Sequence, residues 1–371
     1  GKKRYEIIDG MQRLEAIVSF IEGNYHLYGK YFDLDTTSVT KLLKDEGILK
    51  QNYPILDRKI CKDIASYEIP LSITLNNEEG IIQEIFRRIN SNGKHLSRQE
   101  IRQAGLLNDF TKLVREISES IRGDSSHDDV LPLNKMKNIS LNSKGLNYGI
   151  NVSDIFWCKN GIITIENIRE SRDEELVAYL LIGILTNNQF NYSARLLDNI
   201  YTSAESHEYK TVIEEFRKYG RDRLIRIFHL VFDEIRKTVE ESEKSFADLL
   251  FGNSKNYVNR AYQIVFAAFY ELLIKRNKQI INYKNLAQDI KGIGLRELSS
   301  KLELVRDNKE ERIRAINLLV GIIEKHFVER SGDDPIKVTG ITKIETLLNK
   351  SKTENNCYDF KIGFHTMDEA N

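Results

Sequence analysis

Two stretches of this chain hold residues whose types and spacing could do chemistry. Residues 4–13 read Arg-Tyr-Glu-Ile-Ile-Asp-Gly-Met-Gln-Arg. An apolar run at residues 5–8 leads into Asp9 and Gly10, and a helical stripe follows at Leu14, Ile17, Val18 and Ile21. Such a strand–turn–helix junction suits phosphate and metal. Glycine lets the backbone come close, the helix N-terminus offers free N–H groups, and a guanidinium can grip two oxygens. Asp9 is then a candidate to bind metal or orient water, and Arg13 a candidate to hold phosphate. Spacing alone favours the plainer reading, Asp9-Gly10 as an ordinary turn or N-cap and Arg13 as a surface residue.

Residues 87–98 read Arg-Arg-Ile-Asn-Ser-Asn-Gly-Lys-His-Leu-Ser-Arg. Arg87, Arg88, Lys94, Arg98 and Arg102 stand against a single acid, Glu100. That local positive charge surrounds a glycine turn leading into a helix, the arrangement of an anion cradle. The alternative is a solvated helix end. His95 reads as a turn residue, with no second His or Cys beside it.

The elements that must position these residues are mixed up to about residue 107 and helical beyond. Ile69, Leu71, Ile73 and Leu75 alternate as in a half-buried strand over 67–75. Ile81, Ile82, Ile85, Phe86 and Ile89 mark a helix that stops at Asn90-Ser91-Asn92-Gly93. Ser97 and Glu100 form a capping-box pattern before the next helix, and Ser171 and Glu174 form another. Helical stripes follow at Leu176–Ile184, Leu224–Ile235, Ala261–Leu272 and Ile313–Phe327, with an irregular stretch and a hairpin signal at Asn160-Gly161 between 123 and 165. The expected domains are a head at 1–107, a helical domain at 108–330, a polar linker at 331–356 and the start of a further domain at 357–371.

At 371 residues the chain is long enough for several buried cores. Its 55 basic and 55 acidic residues cancel, which argues against a surface coated in positive charge for nucleic acid. Cys61, Cys158 and Cys357 have neither metal-ligand nor redox spacing, so reduced thiols of a cytoplasmic protein are expected. No apolar run reaches about 18 residues, so no membrane span is expected. The first residues, Gly1-Lys2-Lys3-Arg4, lack the apolar region of a signal peptide, have no Met and enter a strand at once, so the stretch is expected to come from the middle of a protein.

Together the two stretches resemble the N-terminal domain of the GmrSD modification-dependent restriction systems, domain-of-unknown-function family 262. That family's hallmark is a strand ending in Asp-Gly-Gln-Gln-Arg before Leu and a helix. Its later segment reads approximately Phe-x-x-Ile-Asn-x-x-Gly-x-x-Leu-Ser. Here residues 8–14 match the first with Met11 in place of the first glutamine, and residues 86–97 match the second closely. The resemblance covers residues 1–107 and implies a head that is N-terminally incomplete. It implies a mixed α/β head similar to ParB and sulfiredoxin, followed by a large, mainly helical domain. It also implies that the head binds and hydrolyses a nucleoside triphosphate, GTP or ATP with Mg2+, in anti-phage restriction. Carried over by motif, Asp9, Gly10, Gln12 and Arg13 are active-site residues, with Arg88, Asn90 and Gly93 lining the pocket. The implied partner is nucleic acid, phage or modified DNA; a homo-oligomer is admitted, a membrane is not. No His-Asn-His nuclease pattern and no Walker-type loop appears.

The tail, residues 354–361, reads Glu-Asn-Asn-Cys-Tyr-Asp-Phe-Lys and resembles the opening motif of Schlafen-like, AlbA-type domains. By that resemblance Glu354 and Asp359 are metal ligands of a nuclease whose further carboxylate lies downstream. Three readings follow: an NTP hydrolase controlling a nucleic-acid-acting module, a non-hydrolytic DNA- or protein-binding scaffold favoured by Met11, and a regulator of a Schlafen-like nuclease.

Overall fold

A computed structural model of the chain describes residues 10–73, 97–103, 108–124, 141–142, 149–252 and 256–330. All of them fall in one compact unit, residues 1–331. The described residues are dominated by helices, as the apolar stripes require. Their strands are two short pairs: Leu141–Asn142 (β1) parallel to Ile150–Asn151 (β2), and Lys278–Ile280 (β3) antiparallel to Phe327–Glu329 (β4).

In the head, α1 (Met11–Ile21), α2 (Ser38–Asp45) and α3 (Arg58–Ala65) surround a small core of Phe20, Phe32, Leu34 and Cys61. Phe20 meets Phe32 edge to face at 5.9 Å, the arrangement ring quadrupoles favour. Asp33 ties the layer together: its carboxylate takes the Asp35 N–H at 3.0 Å and Arg58 Nε at 2.7 Å. The strand expected over 67–75 does not form in its described part. Residues 67–73 make no ladder, and Ile69, Leu71 and Ile73 are exposed. Alternation marks a face that could be buried, but a strand also needs a hydrogen-bonding neighbour, and none is present among the described residues. The apolar run at 5–8, the helix over 81–89, the linker and the tail lie outside the described residues.

The helical body begins with α4 (Arg98–Gln103) and α5 (Asp109–Arg122). Asn108 and Thr111 close a reciprocal cap on α5: Asn108 Oδ1 accepts the Thr111 N–H at 2.9 Å, and Thr111 Oγ1 accepts the Asn108 N–H at 3.1 Å. The short helices α6 (Phe156–Lys159) and α7 (Ile165–Arg169) lead into α8 (Arg172–Thr186). Then come α9 (Ala194–Thr202), α10 (His207–Tyr219), α11 (Arg221–Glu241), α12 (Phe246–Phe251), α13 (Val258–Tyr270), α14 (Tyr283–Ile290) and α15 (Lys309–Ile323). Beyond its first turn α8 is apolar on nearly every side, with Leu176, Val177, Leu181, Ile182 and Ile184 buried, as a central helix must be. It packs on α5, α10 and α13, and α13 packs on α11 and α15.

Three local expectations are corrected. Asn160-Gly161 is no hairpin: it ends α6, and Asn160 turns inward so that its Oδ1 accepts the Phe246 N–H at 3.0 Å and its carbonyl the Ala247 N–H at 3.0 Å. The Ser171–Glu174 capping box does not form: Ser171 is left-handed at φ 55°, makes no side-chain cap, and Glu174 is drawn to Arg122. The stripe ending at Phe327 is not one helix. α15 stops at Ile323, Phe327 opens β4, and the buried seam starts at Arg312 rather than at the exposed Ile313.

Gly183, inside α8, lies against Tyr192 Oη and Asn188 Oδ1, which would clash with a Cβ there. Although alanine is the better helix former by about 1 kcal/mol, Gly183→Ala should lower the thermal midpoint, because Tyr192 and Asn188 must give way. Phe228→Ala, which empties a fully buried ring site, should cost about 3–5 kcal/mol in denaturant unfolding.

Candidate functional site

Gly10 stands at the N-cap of α1 with φ +90°, a left-handed conformation open to glycine at little cost. Its carbonyl accepts the Leu14 N–H at 2.9 Å and starts the helix. Having no side chain, it cannot cap the first-turn amides, and that turn carries no acid. Arg13 folds back over the same spot: a Cβ on Gly10 would sit 3.4 Å from Arg13 Nη2. Partial positive charge from the helix end and the charge of the guanidinium therefore meet beside the half-buried Gly10 backbone. The nearest acid along the helix, Glu15, is buried and accepts the Ser19 hydroxyl at 3.0 Å.

A second polar constellation lies where α4 meets the body. Arg102, only 2% exposed, donates through Nε to Asp198 Oδ1 at 2.8 Å and through Nη1 to Glu175 Oε1 at 2.5 Å. The same guanidinium reaches Gln99 Oε1 at 3.2 Å and the Ala194 carbonyl at 3.0 Å. Arg98 also pairs with Asp198. Next to it Arg122 forms a two-pronged pair with Asp173, at 2.5 and 2.7 Å, and reaches Glu174 at 3.2 Å. Gln99 links the two pairs through Glu174 at 3.5 Å, and Ser97 Oγ donates to the Glu170 carbonyl at 2.9 Å. Burial opposes the charge on Arg122, but Asp173, then Glu174 and Asp124, outweigh it and hold its pKa above the usual guanidinium value. Burial likewise opposes ionisation of Asp198, yet hydrogen bonds from Arg98 and Arg102 bring its pKa below 3.8.

Residues 1–107 match the family model of the GmrSD restriction endonuclease N-terminal domain. The head is a GmrSD-type N-terminal domain. No curated protein and no solved structure matches the chain.

Of the residues expected at the pocket of the GmrSD-type head, the structure brings Gly10 and Arg13 together. Asp9, Arg88, Asn90, Gly93, Glu354 and Asp359 lie outside the described residues, as does the side chain of Gln12. The positive cradle expected between 87 and 102 is corrected in part. Arg98 and Arg102 are neutralised by Asp198 and Glu175, which pair with them from the body, so neither guanidinium is left for an anion. Opposite charges that fold into contact cancel wherever they lie in the sequence, and a local count cannot register that. Among the described residues, no group of three or more His, Cys, Asp and Glu side chains is arranged to hold a metal ion. Nor is any helix there long and apolar enough to cross a membrane.

Sequence reading missed Arg122, Asp173, Glu175 and Asp198. The one available signal was the acid run Asp173-Glu174-Glu175 opening an otherwise apolar helix. Because the Asp198 carboxyl titrates below its unperturbed 3.8 when folded, its stabilisation is full above that value and is lost as pH falls through the lower folded value. Asp198→Asn should therefore lower the midpoint of the transition that releases α4 from the body by a constant amount from about pH 8 to about pH 5. Below pH 3.8 the gap to wild type should shrink as the wild-type carboxyl protonates; calorimetry across this range measures it.

Proposed function

We propose that the GmrSD-type head binds and hydrolyses a nucleoside triphosphate and thereby controls a nucleic-acid-acting module in a restriction-type defence system. The match of residues 1–107 to the restriction-endonuclease domain carries the reading. Gly10 and Arg13 support it locally, since a helix N-terminus beside a folded-back guanidinium is an arrangement that suits phosphate oxygens. Arg13 and Arg88 hold phosphates, Asp9 orients water or a Mg2+ ion, Gln12 positions the attacking water or the base, and Asn90 and Gly93 line the pocket of a ParB-like head. When bound, Mg2+ would neutralise phosphate charge. The nucleic acid acted on is phage or modified DNA.

Titration calorimetry of the full-length protein with GTP, ATP and CTP identifies the nucleotide. Arg13→Ala should weaken its binding by about tenfold or more, the worth of a charge-assisted contact. Asp9→Ala should abolish turnover while leaving the fold intact. Unchanged turnover in both variants would sink the assignment. Met11, standing where the family motif has glutamine, favours a second reading, a non-hydrolytic scaffold of the same fold. Binding without turnover, or no binding at millimolar nucleotide, would favour that scaffold.

A further inference from the structure

Helix α4 is docked on the body by the wrong face for a hydrophobic contact. Among its described side chains Gln99 and Arg102 are buried, whereas the one large apolar residue, Ile101, is 57% exposed. At six residues α4 is too short to be stable by itself. Among the described residues, the contacts that hold it are polar: the Ser97 hydroxyl on the Glu170 carbonyl, and Arg98 and Arg102 on Asp198 and Glu175. These partners are distant in sequence, Arg102 and Asp198 being 96 residues apart. They belong to the body, while residues 97–103 belong to the 1–107 domain match.

We infer that residues 97–103 form an ionic clamp by which the helical body fixes the GmrSD-type head, with Arg102 as its central positioning residue. Hydrophobic docking is non-directional and tolerates small shifts. A guanidinium divided between two carboxylates is directional, and its registration is lost when either partner moves. Removing Asp198 leaves the buried Arg102 guanidinium with one carboxylate, Glu175, in place of two, and removing Arg102 takes away the one buried cation of the clamp. In the sequence, Ser97 is the last residue of the motif segment 86–97, so the clamp follows directly on the stretch that carries Arg88, Asn90 and Gly93. The inference is independent of nucleotide binding and goes beyond it.

Hydrogen exchange measured by mass spectrometry on the full chain, without nucleotide, tests the clamp in Arg102→Met and Asp198→Asn. In both variants exchange across 97–103 should accelerate by about tenfold or more, and across 10–21 by about threefold or more, as the head loses its anchor. Residues 176–186, in the core of α8, should keep wild-type protection. Unchanged exchange at 97–103 would overturn the clamp. So would release of 97–103 with 10–21 unaffected, since the segment would then position nothing. Loss of protection at 176–186 in both variants would also overturn it, because the network would serve the body's own folding. If Arg102→Met alone disturbs 176–186, Asp198→Asn, which keeps the side-chain volume and leaves Arg102 in place, decides.

Discussion

The structure turns on the burial of two guanidiniums, Arg102 and Arg122, at the start of α8. A charge removed from water is tolerated only when paired and hydrogen-bonded. Each of these finds carboxylates on the same short stretch: Arg122 on Asp173 and Glu174, Arg102 on Glu175 and, across the gap, Asp198. Three acids in the first turn of a helix are also favoured by its dipole, so α8 is stabilised at this end twice over. The positions of α4, α5, α8 and α9 are fixed together by this requirement.

A third buried cation shows another solution to the same constraint. Arg312, 1% exposed on α15, has its guanidinium 3.6 Å from the ring centre of Tyr192, which in turn stacks on Tyr179. Its donors reach the carbonyls of Val305, Asn188 and Phe190. Burial pulls its pKa down, in contrast to the rise at Arg122. Carbonyl dipoles and a π-face suffice to hold the charge in place, whereas carboxylates make it stronger still. The body thus uses ionic pairing where α4 joins it and dipolar capture where α15 packs on the 188–192 turn.

The helices were legible in the sequence wherever apolar residues recur on one face: α8, α11, α13 and α15 all lie on predicted stripes. The errors share a cause. Ser171 and Glu174 have the spacing of a capping box, but Arg122 competes for Glu174 and wins because its charge is buried. Phe327 continues the helical spacing, yet belongs to a strand paired with Lys278–Ile280. The stripe at Ile69, Leu71 and Ile73 has strand alternation without a ladder partner among the described residues. In the candidate site the motif residues Gly10 and Arg13 were legible because their spacing is local, while the charge state of Arg98 and Arg102 was not.

By itself the sequence determined the helix-dominated body, the absence of a membrane-crossing apolar run, and the kinship of residues 1–107 with a restriction-type domain. Those properties follow from periodicity and from two short motifs, all set by neighbours a few positions apart. Only the tertiary structure decided that two of the five charges of an apparent basic patch, Arg98 and Arg102, are already paired with acids, that a buried arginine anchors α4, and that Arg13 folds over Gly10. Pairings such as Arg102 with Asp198 are made in space between residues 96 positions apart, and whether a charge is available depends on what the fold sets beside it.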